Sequence, residues 1–108
     1  MLSQGQLAAT AGAIYTVGAA TTANVKTIVL FNAGSGTNTV KLYAVPNSGG
    51  SVGTAAAANQ FFEEAIASKT TIEFSPAVPI VYSAQNDTIQ GSATNATQVT
   101  YFVMGATA

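Results

Sequence analysis

The chain has 108 residues and a formal net charge of −1, and only 6% of its residues are charged. An ordinary soluble domain is about one quarter charged, so uncharged side chains or other protein must cover most of this surface. With no His and no Cys, the chain lacks the usual general base, thiol nucleophile and cysteine zinc ligands. Its three Lys are too few to neutralise a run of phosphates, which argues against nucleic acid or an anionic membrane as a partner.

Length and composition together predict one all-β domain, residues 1–108. Val and Ile, at ten and six, outnumber four Leu, and there are fifteen Thr. Branched side chains like these pack well on a pleated surface and favour strands. Residues 1–10 contain no Lys, no Arg and no long apolar run, so a secretory signal is not expected. A membrane span of roughly 20 apolar residues is not expected either.

The first half of the chain contains three predicted strands, at 13–17, 24–31 and 39–45. The second is apolar on both faces over 28–31, so we expect it to be central in a sheet and covered on both sides. The Gly-rich link at 32–36 predicts a hairpin between the second and third strands.

The third predicted strand alternates between apolar and polar residues. We expect Val40, Leu42 and Ala44 to face the core and Lys41 and Tyr43 to face outward. Pro46 ends this strand, and a loop follows.

Residues 54–68 permit two interpretations. Thr54 could cap a helix that begins in the Ala run, with Phe62, Ala65 and Ile66 on one face. Equally, residues 60–67 could form a strand after an Ala-rich loop.

The second half of the chain adds four short predicted strands, at 70–74, 80–82, 88–93 and 98–104. Ile72 and Phe74 should face inward, and so should Ile89, Gly91 and Ala93, with Thr88 at the surface. The last strand is apolar on both faces from Tyr101 onward, and Pro76 and Pro79 bracket a short extended piece.

The turn spacing predicts a single β-sandwich, jelly-roll-like or Greek-key, of about seven to eight antiparallel strands. Residues 1–12 and 105–108 are rich in Ala, Gly and Thr and are expected to be arms.

No catalytic, cofactor-binding or metal site is predicted, and the chain is not expected to be an enzyme. Glu63, Glu64, Glu73 and Asp87 are interpreted as solvated or interface charges rather than an acid pair, with Asp87 forming a turn. The loop 34–36 is followed by neither a Lys nor a helix, so it is interpreted as a hairpin loop and not a phosphate cradle.

Tyr43, Tyr82 and Tyr101 could stack on a sugar. We favour burial in a protein interface, because surface aromatic residues more often have that role.

The stretches at 13–17, 25–32, 39–46 and 87–89 resemble small virion proteins of tailed bacteriophages, and the resemblance covers roughly residues 11–104. It departs from the usual turns at 18–20 and at Asn86. The family brings no catalytic residue to carry over.

The resemblance implies a β-sandwich located in the virion and assembled in the host cytoplasm. The expected role is capsid decoration (cement), as a homotrimer bound to the major capsid protein, because capsids offer threefold positions. The alternatives are a tail or fibre module and, less favoured, a glycan-binding receptor domain.

Overall fold

The computed structural model describes residues 2–76, 80–82 and 84–107. Within these ranges the chain forms nine β-strands and one 3₁₀ turn at Ala57–Asn59. The strands are β1 (Ser3–Gln6), β2 (Gly12–Thr16), β3 (Ala23–Asn32), β4 (Asn38–Val45), β5 (Gln60–Ile66), β6 (Thr71–Phe74), β7 (Ile80–Tyr82), β8 (Thr88–Ala93) and β9 (Val99–Thr107).

The strands form two antiparallel sheets that pack as a sandwich. Sheet 1 has the order β1-β9-β3-β6, with β7 beside β6 on the same edge of β3, and sheet 2 has the order β2-β8-β4-β5. Successive strands cross between the sheets except at the β4–β5 and β6–β7 connections. This order is that of a jelly roll in which β6 and β7 together take the place of one strand. The predicted all-β sandwich is confirmed.

The core lies between the sheets, and strand alternation supplies it from both sides. Ile28 and Leu30 of sheet 1 meet Leu42 and Ile89 of sheet 2, and all four are fully buried. Ile89 and Ala93 lie on the inward face of β8, as the sequence predicts.

The two chain ends are part of the sandwich, so their expected role as arms at 1–12 and 105–108 is wrong for the described residues. Ser3–Gln6 pairs with β9, and Leu7, at 1% exposure, is part of the core. At the other end, β9 continues through Thr107 beside the start of β3. Pairing with β9 and the buried Leu7 together fix a segment whose composition otherwise suggests a loose end.

The expected hairpin between β3 and β4 is also wrong, because these strands lie in different sheets. The fully buried Asn32 holds the crossing between them. Its Nδ2 donates to the carbonyls of Gly36 and Ile66, both at 2.8 Å. Its Oδ1 accepts from the Gly34 N–H at 2.9 Å and from Asn38 Nδ2 at 3.1 Å. Both side-chain donors and both acceptor positions of Asn32 are used, so the amide specifies this turn.

Residues 54–68 adopt the strand alternative. Asn59 Oδ1 accepts the Ala56 N–H at 2.9 Å and closes a short 3₁₀ turn, after which β5 pairs with β4. A bulge at Phe61 places it and Phe62 against Phe74 of sheet 1, with ring centroids 5.2 and 5.8 Å apart. These three rings close one side of the sandwich. Most of the piece predicted between the prolines, at 77–79, lies outside the described residues.

Candidate functional site

The outer side of sheet 1 carries apolar side chains on its two central strands. Since Ile28, Leu30 and Val103 point into the core, their neighbours on β3 and β9 point away from it. The outward residues that form this apolar face are Val29, Phe31, Phe102 and Met104. Val29 lies directly opposite Phe102 in the ladder, and Met104 is 38% exposed. The four side chains therefore form one continuous surface across adjacent strands.

Charge is sparse beside the apolar face, although Glu73 lies directly opposite Val29 in the ladder. Across the five strands of sheet 1 the charged residues are Lys26, at the bulge in β3, and Glu73 on β6. Val81 on β7 adds a further apolar side chain, 58% exposed, near one end. The outer surface of sheet 1 is thus apolar at its centre and nearly uncharged.

The apolar pattern over 28–31 predicts a strand that is covered on both faces, and this expectation is wrong for one face. β3 is central in sheet 1, as predicted, with β9 on one side and β6 and β7 on the other. Among the described residues only the inward face of β3 is covered, however, since Val29 and Phe31 are half-buried on the open side. Residues that are apolar on both faces therefore mark a strand with one bare face here, not a strand between two layers.

The outer side of sheet 2 is polar where it is open. Lys41 lies directly opposite Glu63 on β5 and Ser92 on β8. Together with Thr39 and Thr94 these residues line a shallow cavity of about 330 Å³. None of the described lining residues is aromatic, so this cavity lacks the ring on which a sugar would stack.

A loop of the chain itself covers the rest of that face. Gln90 Nε2 donates to the Gly53 carbonyl at 2.9 Å and to Thr88 Oγ1 at 3.1 Å. Thr88 is 1% exposed, although alternation correctly places it on the outer side of sheet 2. The expectation of a surface Thr88 is therefore wrong, because the loop after Pro46 folds back over it.

The four acidic residues do not form a convergent pair. Glu63 and Glu64 are consecutive on β5 and point to opposite faces of sheet 2. Glu73 points outward from sheet 1, and Asp87 lies in the turn before β8. In the described residues no group of three or more acidic side chains could hold a metal ion.

Asp87 ties two loops together at one end of the sandwich. Its Oδ1 accepts from the Asn47 N–H at 2.8 Å and from Asn47 Nδ2 at 3.0 Å. The turn predicted here is present, with Asn86 in the left-handed region at φ 68°. The Asp87 side chain bonds a distant loop, however, rather than the backbone nearby.

Of the three tyrosines considered for stacking, only Tyr43 faces outward. Tyr101 is 9% exposed in the core, and the Tyr82 hydroxyl is buried without a hydrogen-bond partner among the described residues. Burial, followed by the nearby negative charge of Asp87, raises the pKa of Tyr82 to about 12. The three tyrosines therefore do not form a row of exposed rings on which a sugar could stack.

The chain matches no protein-family model, and no curated protein is similar to it in sequence. Within the described ranges, no helix is long and apolar enough to cross a membrane. Among the described residues, the apolar face of sheet 1 is the surface most suited to contact with another protein.

Proposed function

We propose that this chain is a structural virion protein that decorates a bacteriophage head. The observation that carries the proposal is the apolar face of sheet 1, on a protein with only seven charged side chains. We propose that this face docks on the major capsid protein and stabilises the shell.

The size of the outer side of sheet 1 suits a protein–protein contact. β3 has ten residues, and four strands stand side by side across the sheet. At about 3.3 Å per residue and about 4.8 Å between strands, the sheet presents at most about 600 Å². A stable interface buries about 800 Å² per partner, so this side of sheet 1 could supply most of one.

The chemistry of the face also suits permanent contact. Burying Val29, Phe31, Phe102 and Met104 releases water from apolar surface. Glu73, opposite Val29, lies on the edge strand β6, where its carboxylate can remain in water. Depletion of charge at the centre and aromatic enrichment are typical of interface cores.

The fold adds support of a weaker kind. Jelly rolls are frequent in viral capsids and also in lectins, so the topology fits the proposal without selecting it. The resemblance to small virion proteins of tailed phages points in the same direction.

Self-association is part of the proposal, and three copies is the number that capsid symmetry favours. The location proposed is the virion, after assembly in the host cytoplasm. The proposal includes no catalytic activity and no nucleic-acid or membrane partner.

The test is a particle map at a resolution sufficient to place a sandwich of this size. We expect density for the chain on the shell, with the outer side of sheet 1 against the major capsid protein. Density confined to the tail would replace this proposal with the fibre-module alternative. Density on the shell with that side facing solvent would overturn the docking face. Binding to a glycan array through the outer side of sheet 2 would favour the receptor alternative.

A further inference from the structure

The two open sides of the sandwich differ in how their edge strands are protected. One side is formed by β5 of sheet 2 with β6 and β7 of sheet 1, and the other by β2 of sheet 2 and β1 of sheet 1. β7 carries no charge, but it has only three residues. All three glutamates, Glu63, Glu64 and Glu73, lie on β5 and β6, and all are exposed. The strands β1 and β2 contain no charged residue.

The glutamates stand where a protecting charge is most effective. Glu64 lies opposite Val40, whose side chain points into the core, so this charge points inward at the rim of sheet 2. Inward-pointing charges and bulges are two ways in which proteins prevent edge strands from pairing with another chain. β5 has both, since its bulge lies at Phe61.

The opposite side is less protected, and β1 is its open strand. β2 is interrupted by a bulge between Ala13 and Tyr15, whereas the register of β1 with β9 is unbroken over its four residues. β1 also contains no Pro. In the part of the chain that the structure describes, no strand pairs with its outer edge.

The free main-chain groups of β1 can be named. The Leu7 N–H donates to the Val99 carbonyl at 2.8 Å, and these residues stand directly opposite one another in the register of β1 with β9. In an antiparallel ladder, bonded and non-bonded positions alternate, so Gly5 bonds to β9 and Gln4 and Gln6 point their N–H and C=O groups away. The side chains of Gln4 and Gln6 are also exposed.

We infer that the β1 edge pairs with the β1 edge of a second copy of this chain, around a twofold axis. The pairing is antiparallel and joins two copies of the five-stranded sheet 1 into one sheet of ten strands. A twofold contact places each patch against itself. At β1 this opposes uncharged residues, whereas at β5 it would bring Glu63 and Glu64 of one copy close to those of the other. The charge distribution therefore selects β1 over β5 for self-pairing.

The pairing also keeps the apolar faces of both copies together. Gln4 lies next to Phe102 in the ladder, so the apolar face of each copy reaches the junction. Both faces then lie on the same side of the joined sheet and can contact one shell. This inference rests on the self-association in the proposed function and revises its number of copies, because a twofold edge contact closes at two chains.

The test uses the free protein and two complementary double variants, Gln4→Lys/Gln6→Lys and Gln4→Glu/Gln6→Glu. Sedimentation equilibrium should give a mass of two chains for the natural sequence, at some concentration between about 1 µM and 1 mM, because the strand contact is small. Each double variant alone should dimerise at least about tenfold more weakly, because like charges face one another. Mixing the two variants should restore the dimer, since opposite charges then meet.

The control is Ala65→Lys, an exposed position on β5 that adds one positive charge, half that of the double Lys variant, at the protected edge. It should leave the dimer affinity unchanged. All variants should melt within a few degrees of the natural sequence, because the altered side chains are exposed.

Four outcomes would overturn the inference. They are a monomer at every concentration, a mass of three chains, dimer affinity that the Gln4 and Gln6 variants leave intact, and failure of the mixture to restore the dimer. None of these results bears on shell docking, so a failed dimer and a failed decoration role remain distinguishable.

Discussion

The outer sides of the two sheets differ in what covers them. Sheet 2 is covered at one end by the loop after Pro46, and elsewhere it presents polar residues such as Thr39 and Ser92. Sheet 1 presents Phe102 and Met104 without such a cover among the described residues. The chain thus covers part of the outer side of sheet 2 with its own loop and leaves the apolar outer side of sheet 1 suited to a partner. Exposed apolar patches that are this continuous are typical of interaction sites.

The largest change in the free energy of unfolding should come from a substitution in the core between the two sheets. Ile89→Ala removes a fully buried side chain, so unfolding should become easier by roughly 2–5 kcal/mol through lost burial and a cavity. Val29→Ala, on the bare side of sheet 1, should cost about 1 kcal/mol in the free protein, because its side chain is only half-buried. Denaturant titrations of both variants measure the difference. Equal costs would show that the apolar face is as buried as the core.

Docking should respond to a charge on one outer side and not on the other. Met104→Lys would bury an unpaired ammonium group in the proposed contact and should weaken binding to shells at least about 30-fold, or roughly 2 kcal/mol. Ala65→Lys adds the same charge on the outer side of sheet 2 and should bind normally. Binding of purified protein to shells that lack it provides the measurement. If both variants bind alike, the outer side of sheet 1 is not the docking surface.

Covered and bare sides should also differ at matched threonines. Thr88→Ala removes a buried hydroxyl that accepts from Gln90 Nε2 at 3.1 Å, and should cost about 1–2 kcal/mol. Thr100, on the bare side of β9, is half-buried, and Thr100→Ala should cost within about 0.5 kcal/mol. Thermal melts of the free protein check both values. A reversed order would mean that the loop after Pro46 does not shield sheet 2 in solution.

The sequence predicts most of the strands and the core, because both depend on local alternation, but it misses β1, whose composition suggests a loose end. Ile89 and Leu42 are recognisable as inward residues from their polar neighbours alone. The β3–β4 crossing is not recognisable, because Asn32 is typical of a turn and its partners Asn38 and Ile66 are distant in sequence. The burial of Thr88 is missed for the same reason, since it depends on where a loop some forty residues earlier comes to lie.

The apolar face illustrates a different limit. The two-sided apolar pattern of β3 and β9 is visible in the sequence, and for β3 it predicts burial on both sides. Local pattern shows that Val29 and Phe102 avoid water, but it cannot show whether the cover comes from this chain or from another. Only the topology, which places no further layer over sheet 1 in the described residues, separates these two cases.

The smallest expected effect concerns the inner side of sheet 1 at alkaline pH. With no His, stability should be nearly constant from about pH 5 to 8. The pKa of Tyr82 is raised from 10.0 to about 12 in the folded chain, so between these values the unfolded chain loses the proton and the native chain keeps it. Deprotonation therefore favours unfolding, and the melting temperature should fall as pH rises from 10 to 12. Tyr82→Phe should reduce this decline, whereas Tyr43→Phe, on the outer side of sheet 2, should preserve it. Identical declines in the two variants would show that the Tyr82 hydroxyl reaches water as freely as a surface group.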